Sequence, residues 1–469
     1  MPELLSLICS FLNKQDCAAC LCISRFTFTI VASIIWEDTD LKPVLSLIPG
    51  MQVTTDERWE DPYLIFQFPA TPDLTRFEIY RPLVKAINTT VPYAITFPEQ
   101  WPSASVPASS QPLLPNLQSI TINTYGWVDD PYVEWIPRFL TPGLKKFKMR
   151  SVHLKKSFGD VGAHDNAWIN PSRCIEIVDA MSRTCPNIET LEIFANEKYG
   201  RDRAEYVAIC EKVAGLVSLR SLSFGGATAS NTLFQAFEAA TDDSSALLSD
   251  DSFPALKYLT LCGLQSDVIV RVYDSPQLFN CLISAKIVYG DYENYDEGDY
   301  FDLRSAYAMR CFSHGCSLLT DLTIVTQGAE GDFYVFRRFI SIFKQLPLRR
   351  LRLCGVELNP ESSYYAEEED LHENDPEVTW EELFAALPHL EELDLYNHFS
   401  TDELVVLASL LPKLCYFSPA SIWQAKITLK YAPGTTAKST TTQLIIICCD
   451  YPQYRYADDP ARHMFDVAR

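Results

Sequence analysis

The sequence predicts an α/β chain in which three short amino-terminal helices precede an irregular solenoid with a parallel concave sheet. Three observations predict it. An apolar line recurs through residues 113 to 450, the first forty residues carry apolar positions at helical spacing, and the stretch between them is rich in proline. The 469 residues exceed the usual length of one compact domain, and 47% apolar with 21% charged residues is the balance of a chain that folds.

In residues 1–40, Leu4, Leu5, Ile8 and Leu12 recur at the three- and four-residue spacing of one helical face. Asp16 stands where an N-cap is expected, ahead of the apolar run Ala18 to Ile23, and a third helix is expected from about Thr29 to Trp36. So small a unit leaves most of its apolar area exposed and wants a partner. Residues 41–112 read as a linking region. Twelve of the 29 prolines fall between 43 and 115, and one helix is expected near 73–89, with Leu74, Phe77, Leu83, Val84 and Ile87 on its apolar face and Pro82 kinking it.

The recurring line is Leu117-x-x-Ile120-x-Ile122, Leu144-x-x-Phe147-x-Met149, Ile188-x-x-Leu191-x-Ile193 and Leu219-x-x-Leu222-x-Phe224. It continues as Leu256-x-x-Leu259-x-Leu261, Leu319-x-x-Leu322-x-Ile324, Leu348-x-x-Leu351-x-Leu353 and Leu390-x-x-Leu393-x-Leu395, with weaker copies at Leu278 and Leu414. L-x-x-L-x-L in many copies is the leucine-rich-repeat signature, one short strand and one return segment per copy. Starts lie 22 to 44 residues apart, so the array should be an irregular arc. Return helices are expected at Pro171 to Thr184, Arg203 to Gly215, Phe333 to Gln345, Thr379 to Ala386 and Thr401 to Leu411, with Asn170, Thr379 and Thr401 near their starts. The run Leu444 to Ile447, ending in Cys448-Cys449, reads as a terminal strand, and residues 451–469 as a tail.

Alternation along a strand sends the second and third apolar positions inward and the residues between them outward. The concave face should therefore carry Lys146, Lys148 and Arg150, then Thr190 and Glu192, then Arg350 and Arg352, then Glu392, Asp394 and Tyr396. An extended surface of alternating sign suits a protein target.

The net charge of -22 disfavours nucleic acid and an anionic membrane surface as partners. Much of it is local: residues 291–302 carry six acids and no base, and residues 357–382 eleven acids and no base, which reads as solvated insertions. Fifteen dispersed cysteines in apolar patterns fit buried thiols in a reducing compartment, and the amino terminus lacks the basic region of a secretory signal, so the expected location is cytoplasmic or nuclear. No apolar stretch near the start approaches the roughly 20 residues of a membrane span. The C-x-x-C at Cys17 and Cys20 lacks a second ligand pair, and Cys311, His314 and Cys316 lack a fourth ligand, so the first reads better as apolar helical packing and the second as ordinary loop residues. Nucleophile-elbow, zincin, Walker and dinucleotide fingerprints do not occur, so no catalytic group, metal or cofactor is expected.

Residues 1–40 resemble an F-box. The pattern P-E-L-L-x-x-I-x-x-x-L-x-x-x-D is present at Pro2, Glu3, Leu4, Leu5, Ile8, Leu12 and Asp16, Ile23-Ser24-Arg25 stands where the family has V-C-K/R, and Ile35-Trp36 stands at its L-W. Thr27 occupies the place of the usual tryptophan. Asp73-Leu-Thr-Arg76-Phe77-Glu-Ile-Tyr80 resembles the D-W-x-R-F-x-x-Y segment that follows the F-box in fungal members. The resemblance, to fungal-type F-box proteins with leucine-rich repeats, implies the substrate-recognition subunit of an SCF-type E3 ubiquitin ligase. Pro2, Leu4, Leu5, Ile8, Leu12, Asp16, Ile23 and Trp36 would then dock on a Skp-type adaptor and through it on a cullin-RING ligase. The concave face would hold an unidentified protein target, and other subunits would carry the chemistry. The alternative is a leucine-rich-repeat binding scaffold with no ligase role, which has no need of residues 1–40. An enzyme would instead require Cys311 and His314 to converge in a cleft.

Overall fold

The computed structural model describes residues 2–56, 63–89, 93–97, 112–124, 127–128, 130–151, 168–195, 209, 212–226, 253–264, 281–290, 316–327, 340, 343–354, 380–395, 407 and 409–419. Three helices come first: α1 (Pro2–Ser10), α2 (Lys14–Cys20) and α3 (Arg25–Glu37). Their boundaries differ from expectation because other side chains cap them. Asn13, not Asp16, caps α2: its side chain accepts from the Asp16 backbone N–H, and its amide donates to the Asp16 carboxylate at 2.8 Å. Ser24 caps α3 four residues earlier than expected: its hydroxyl oxygen accepts from the Thr27 N–H, and Thr27 Oγ1 accepts from the Ser24 backbone N–H in a reciprocal box. Inside, Cys9, Cys17 and Val31 form a small core with Leu5, Cys20, Leu21, Ile34 and Ile35 packed around it.

Residues 41–112 do more than link. Helix α3 runs directly into β1 (Asp38–Thr39), which pairs in parallel with β4 (Ala86–Thr89), and both begin the main sheet. Between them lie α4 (Leu41–Leu45), β2 (Gln52–Asp56), β3 (Tyr63–Gln67) and α5 (Thr75–Tyr80). With β5 (Tyr93–Thr96), β2 and β3 make a separate three-stranded sheet. Leu41, Val44, Leu45, Phe66 and Phe77 are buried in the same core as the solenoid. The helix expected near 73–89 is only α5. Pro82 ends it in a single 3-10 turn, Arg81–Leu83, and Val84 then turns extended into β4.

The described part of the main sheet has fourteen strands. After β4 come β6 (Ser119–Thr124), β8 (Lys146–Ser151), β10 (Thr190–Ala195), β11 (Ser221–Gly226) and β12 (Tyr258–Leu264). Then follow β13 (Ser284–Gly290), β14 (Asp321–Gln327), β15 (Arg350–Cys354), β16 (Glu392–Leu395) and β17 (Tyr416–Pro419), each parallel to its neighbour. Two short strands lie off this path: β7 (Trp127–Val128) pairs β9 (Trp168–Ile169), and β9 pairs the end of β10. The weak copy placed at Leu278 is instead Leu282-x-x-Ala285-x-Ile287, in register with Leu259 and Leu322 through Ala285. Leu278 lies outside the described residues, as do the expected terminal strand 444–447 and the tail.

One device repeats at most copies. A tight turn, closed by a backbone bond such as Ile188 N–H to Cys185 O at 3.2 Å, precedes the strand. Pro115, Pro142, Pro186, Pro254, Pro388 and Pro412 each stand second in such a turn, where their fixed φ suits the geometry. The carbonyl just ahead of each strand then accepts two N–H groups from the next copy, as Lys145 O does from Glu189 and Thr190 at 2.8 and 3.0 Å. The inward apolar positions of all copies merge into one continuous core.

Return segments are helical where they are described: α6 (Ile136–Phe139), α7 (Pro171–Thr184) and α8 (Trp380–Ala385). Helix α7 has the expected bounds, with Asn170 accepting from the Ser172 N–H and Pro171 at the first helical position. Of the other expected returns, residues 209 and 212–214, 340 and 343, and 407 and 409–410 are helical, and the remainder lies outside the described residues. Among the described residues, no helix is long and apolar enough to cross a membrane.

Candidate binding surfaces

The first surface is the outer face of the amino-terminal helices. Leu5 and Cys9 turn inward on α1, while Leu4, Leu7, Ile8 and Phe11 fall on the opposite side at i, i+3, i+4 and i+7. These four, with Leu12, Ile23 and Phe26, are between 38% and 81% exposed. Apolar side chains concentrated in so small a unit mark a contact surface. Of the residues the sequence assigned to an adaptor, Pro2, Leu4, Ile8, Leu12, Asp16 and Ile23 are exposed, and Leu5 packs among the helices. Trp36 faces elsewhere. Its ring lies 5.0 Å from that of Tyr80 and joins the solenoid core, so it fastens the helices to the repeats. The sequence assignment lacked Leu7, Phe11 and Phe26, although the 4, 7, 8, 11 spacing marks a second apolar stripe on α1.

The helices are fastened by polar contacts as well. Lys85 Nζ lies 2.9 Å from Glu37, the Lys85 N–H donates to Glu37 O, and Lys14 Nζ donates to Asp38 O. Asn88 donates to the Asp38 carboxylate, and the Tyr93 hydroxyl to Asp40.

The second surface is the outward face of the sheet. Register sets two polar rows across it. The first runs Ser119, Lys146, Thr190, Ser221, Tyr258, Ser284, Asp321, Arg350, Glu392, and the second, two residues on, passes through Thr121, Lys148, Glu192, Ser223 and Thr260 to Arg352 and Asp394. The expected cations and acids stand on this face, and the structure pairs many of them. Arg150 Nε lies 3.2 Å from both oxygens of Glu192. Arg350 lies 3.2 Å from Glu392 and 3.9 Å from Asp321, and Arg352 lies 3.0 Å from Asp394. Burial raises the pKa of Asp321 and Asp394, and the neighbouring guanidinium groups oppose that rise. Lys148 is pushed down, first by burial and then by Arg150 and Lys146, with Glu192 opposing. Tyr396 lies outside the described residues.

From β10 to β14 the third outward row is apolar and buried. Phe194, Cys262, Val288 and Val325, each at most 2% exposed, form a cluster separate from the main core. Gly225 stands in register between Phe194 and Cys262. Alternation alone assigns these positions to the polar face. The signal that would have found them is their own series, apolar or glycine at the third outward place of successive copies.

Most of the described thiols behave as packing groups, although Cys22, Cys281 and Cys415 are exposed. Cys17 and Cys9 are buried in the helical core, and Cys185 and Cys316 fill the first position of repeat turns, where burial pushes each pKa up to about 12. Cys311 and His314 lie outside the described residues, among which no three His, Cys, Asp or Glu side chains are grouped to hold a metal. A shallow cleft lined by Pro347, Arg349, His389, Glu391 and Lys413 sits beside the turns of the last copies. Its polar groups face each other, with Lys413 Nζ 3.1 Å from His389 Nδ1 and Arg349 3.6 Å from Glu391.

No family model matches the chain, and no curated protein matches it. Among solved structures, it is similar to the leucine-rich repeat-containing protein LegL7 from Legionella pneumophila, at 13% identity and a TM-score of 0.34, over 66% of this chain and 88% of that one.

Proposed function

We propose that the chain is the substrate-recognition subunit of an SCF-type E3 ubiquitin ligase, non-catalytic itself, with its amino-terminal helices docking on a Skp-type adaptor and its sheet holding a protein target. The observation that carries this reading is the apolar stripe on α1. Three helices enclose a core of only Cys9, Cys17 and Val31, yet leave Leu4, Leu7, Ile8 and Phe11 in water. Burying such a stripe against a partner recovers about 25 cal/mol per Å² of apolar surface removed from water. The F-box-like pattern at Pro2 to Asp16 supplies the kind of partner, and the polar rows of the outward sheet supply a surface for the target. Ubiquitin transfer would then be a matter of proximity, with the target held where the other subunits act.

The test is capture of the full chain on purified Skp adaptor, with and without Leu4→Asp and Ile8→Asp. Both positions are exposed, so the variants keep the fold. Placing a charge in a dry interface costs about 3 kcal/mol or more, a loss of roughly a hundredfold in affinity. Capture of the wild type and its loss in the variants is expected. A folded wild type that is not captured would sink the ligase reading and leave a repeat scaffold that binds a partner without it.

A further inference from the structure

We infer that the strip of sheet formed by β6, β8 and β10 takes a carboxylate-rich segment of a protein partner through Lys146 and Lys148; this rests on reading the outward face as the target-binding surface. The outward cations of β8 and β15 divide by what already neutralises them, while Lys286 is the outward cation of β13, between Thr260 and Thr323. On β15, Arg350 and Arg352 face three acids, Asp321, Glu392 and Asp394, within 3.0 to 3.9 Å. That patch is closed on itself. On β8, three cations face one acid, Glu192, which Arg150 holds through both oxygens. No ion pair holds Lys146 or Lys148 among the described residues.

Their surroundings suit an anion. Register places Ser119 and Thr121 beside the two lysines on β6, and Thr190 beside Lys146 on β10, so hydroxyl donors flank the ammonium groups. Lys146 is exposed and Lys148 half-buried. Burial and like charge both weigh on the Lys148 ammonium, Glu192 opposes them in part, and the negative charge of an arriving carboxylate would offset them further. In a chain of net charge -22 this is a local excess of positive charge. Two lysines two residues apart on one strand are separated by about 7 Å, the spacing of alternate side chains in an extended peptide. Carboxylates fit better than a phosphate, because Arg150, whose planar fork suits phosphate, is already taken by Glu192.

The experiment titrates the full chain against a fluorescein-labelled peptide of alternating Glu and Ser, read by anisotropy. Binding that weakens with added salt is expected. Lys146→Glu with Lys148→Glu should weaken it about tenfold or more, and Lys146→Gln with Lys148→Gln by less, whereas Arg350→Gln with Arg352→Gln should stay within about twofold. Thermal midpoints confirm that each variant is folded. Absence of binding by the wild type, equal binding by the β8 variants, or binding of a phosphoserine peptide in place of the glutamate one would overturn the proposal. Adaptor capture is measured in parallel. The β8 variants should retain it, and failed capture with an intact peptide response removes the ligase reading alone.

Discussion

Gly225 has no room for a side chain. A Cβ there would lie 2.1 Å from the Cys262 carbonyl oxygen, which is backbone and cannot rotate away. Gly225→Ala should therefore force β11 from β12 and lower stability by about 1–3 kcal/mol, read as a fall in the urea midpoint. Charge on the outward face gives a second residue-level expectation. Asp321 and Asp394 have folded-state pKa values raised by burial, so the folded state holds their protons more tightly than the unfolded state. Their contribution to stability is thus fully present below the unfolded carboxylate pKa and is lost as pH rises through the raised folded one. Arg352 offsets part of that loss at Asp394. Arg352→Gln should cost about 0.5–1 kcal/mol near pH 7.5 and much less near pH 4, since Arg352 is itself half-exposed; urea melts at the two pH values check this.

At the scale of elements, the repeat is a turn followed by a strand, and its legibility follows from that. Each of the eight strong apolar lines begins a strand, because a large apolar residue at every inward place is a local pattern. Copies that lack it are hidden. Ala285 weakens the β13 line, and Val84-x-x-Ile87-x-Thr89 ends in a buried threonine just after Pro82, so β4 read as the end of a kinked helix. The lines give each strand its two faces but not its neighbour's partner. The pairing of Arg352 with Asp394 joins residues 42 positions apart, and only the sheet brings them together. Likewise the split of α1 into an inward Leu5 and an outward Leu4 depends on where α2 and α3 pack. Helix α3 carries its own prediction. Trp36 packs on Tyr80, with Phe28 at 6.1 Å from the same ring, so Trp36→Ala should cost about 2–3 kcal/mol and make the α3–β1 junction sensitive to protease under conditions that leave the wild type intact.

For the whole molecule, the proline-rich stretch shows how composition misleads. Prolines signalled short extended pieces, which is what β2 to β5 are, yet those pieces bury Phe66, Tyr93 and Ile95 in the common core instead of forming a tether. The polypeptide passes from α3 to β1 without an intervening residue, and Asp38 begins the strand where Glu37 ends the helix. A flexible tether would let two bound bodies sample a cloud of separations, with the likelihood of any one set by chain statistics. A spliced helix and sheet works more like a set square. On the proposed reading, a partner resting on α1 and a target resting on the sheet would be held at one angle and one span, so their meeting would be decided by shape and not by diffusion, and a cargo of the wrong outline would be refused however tightly it was gripped.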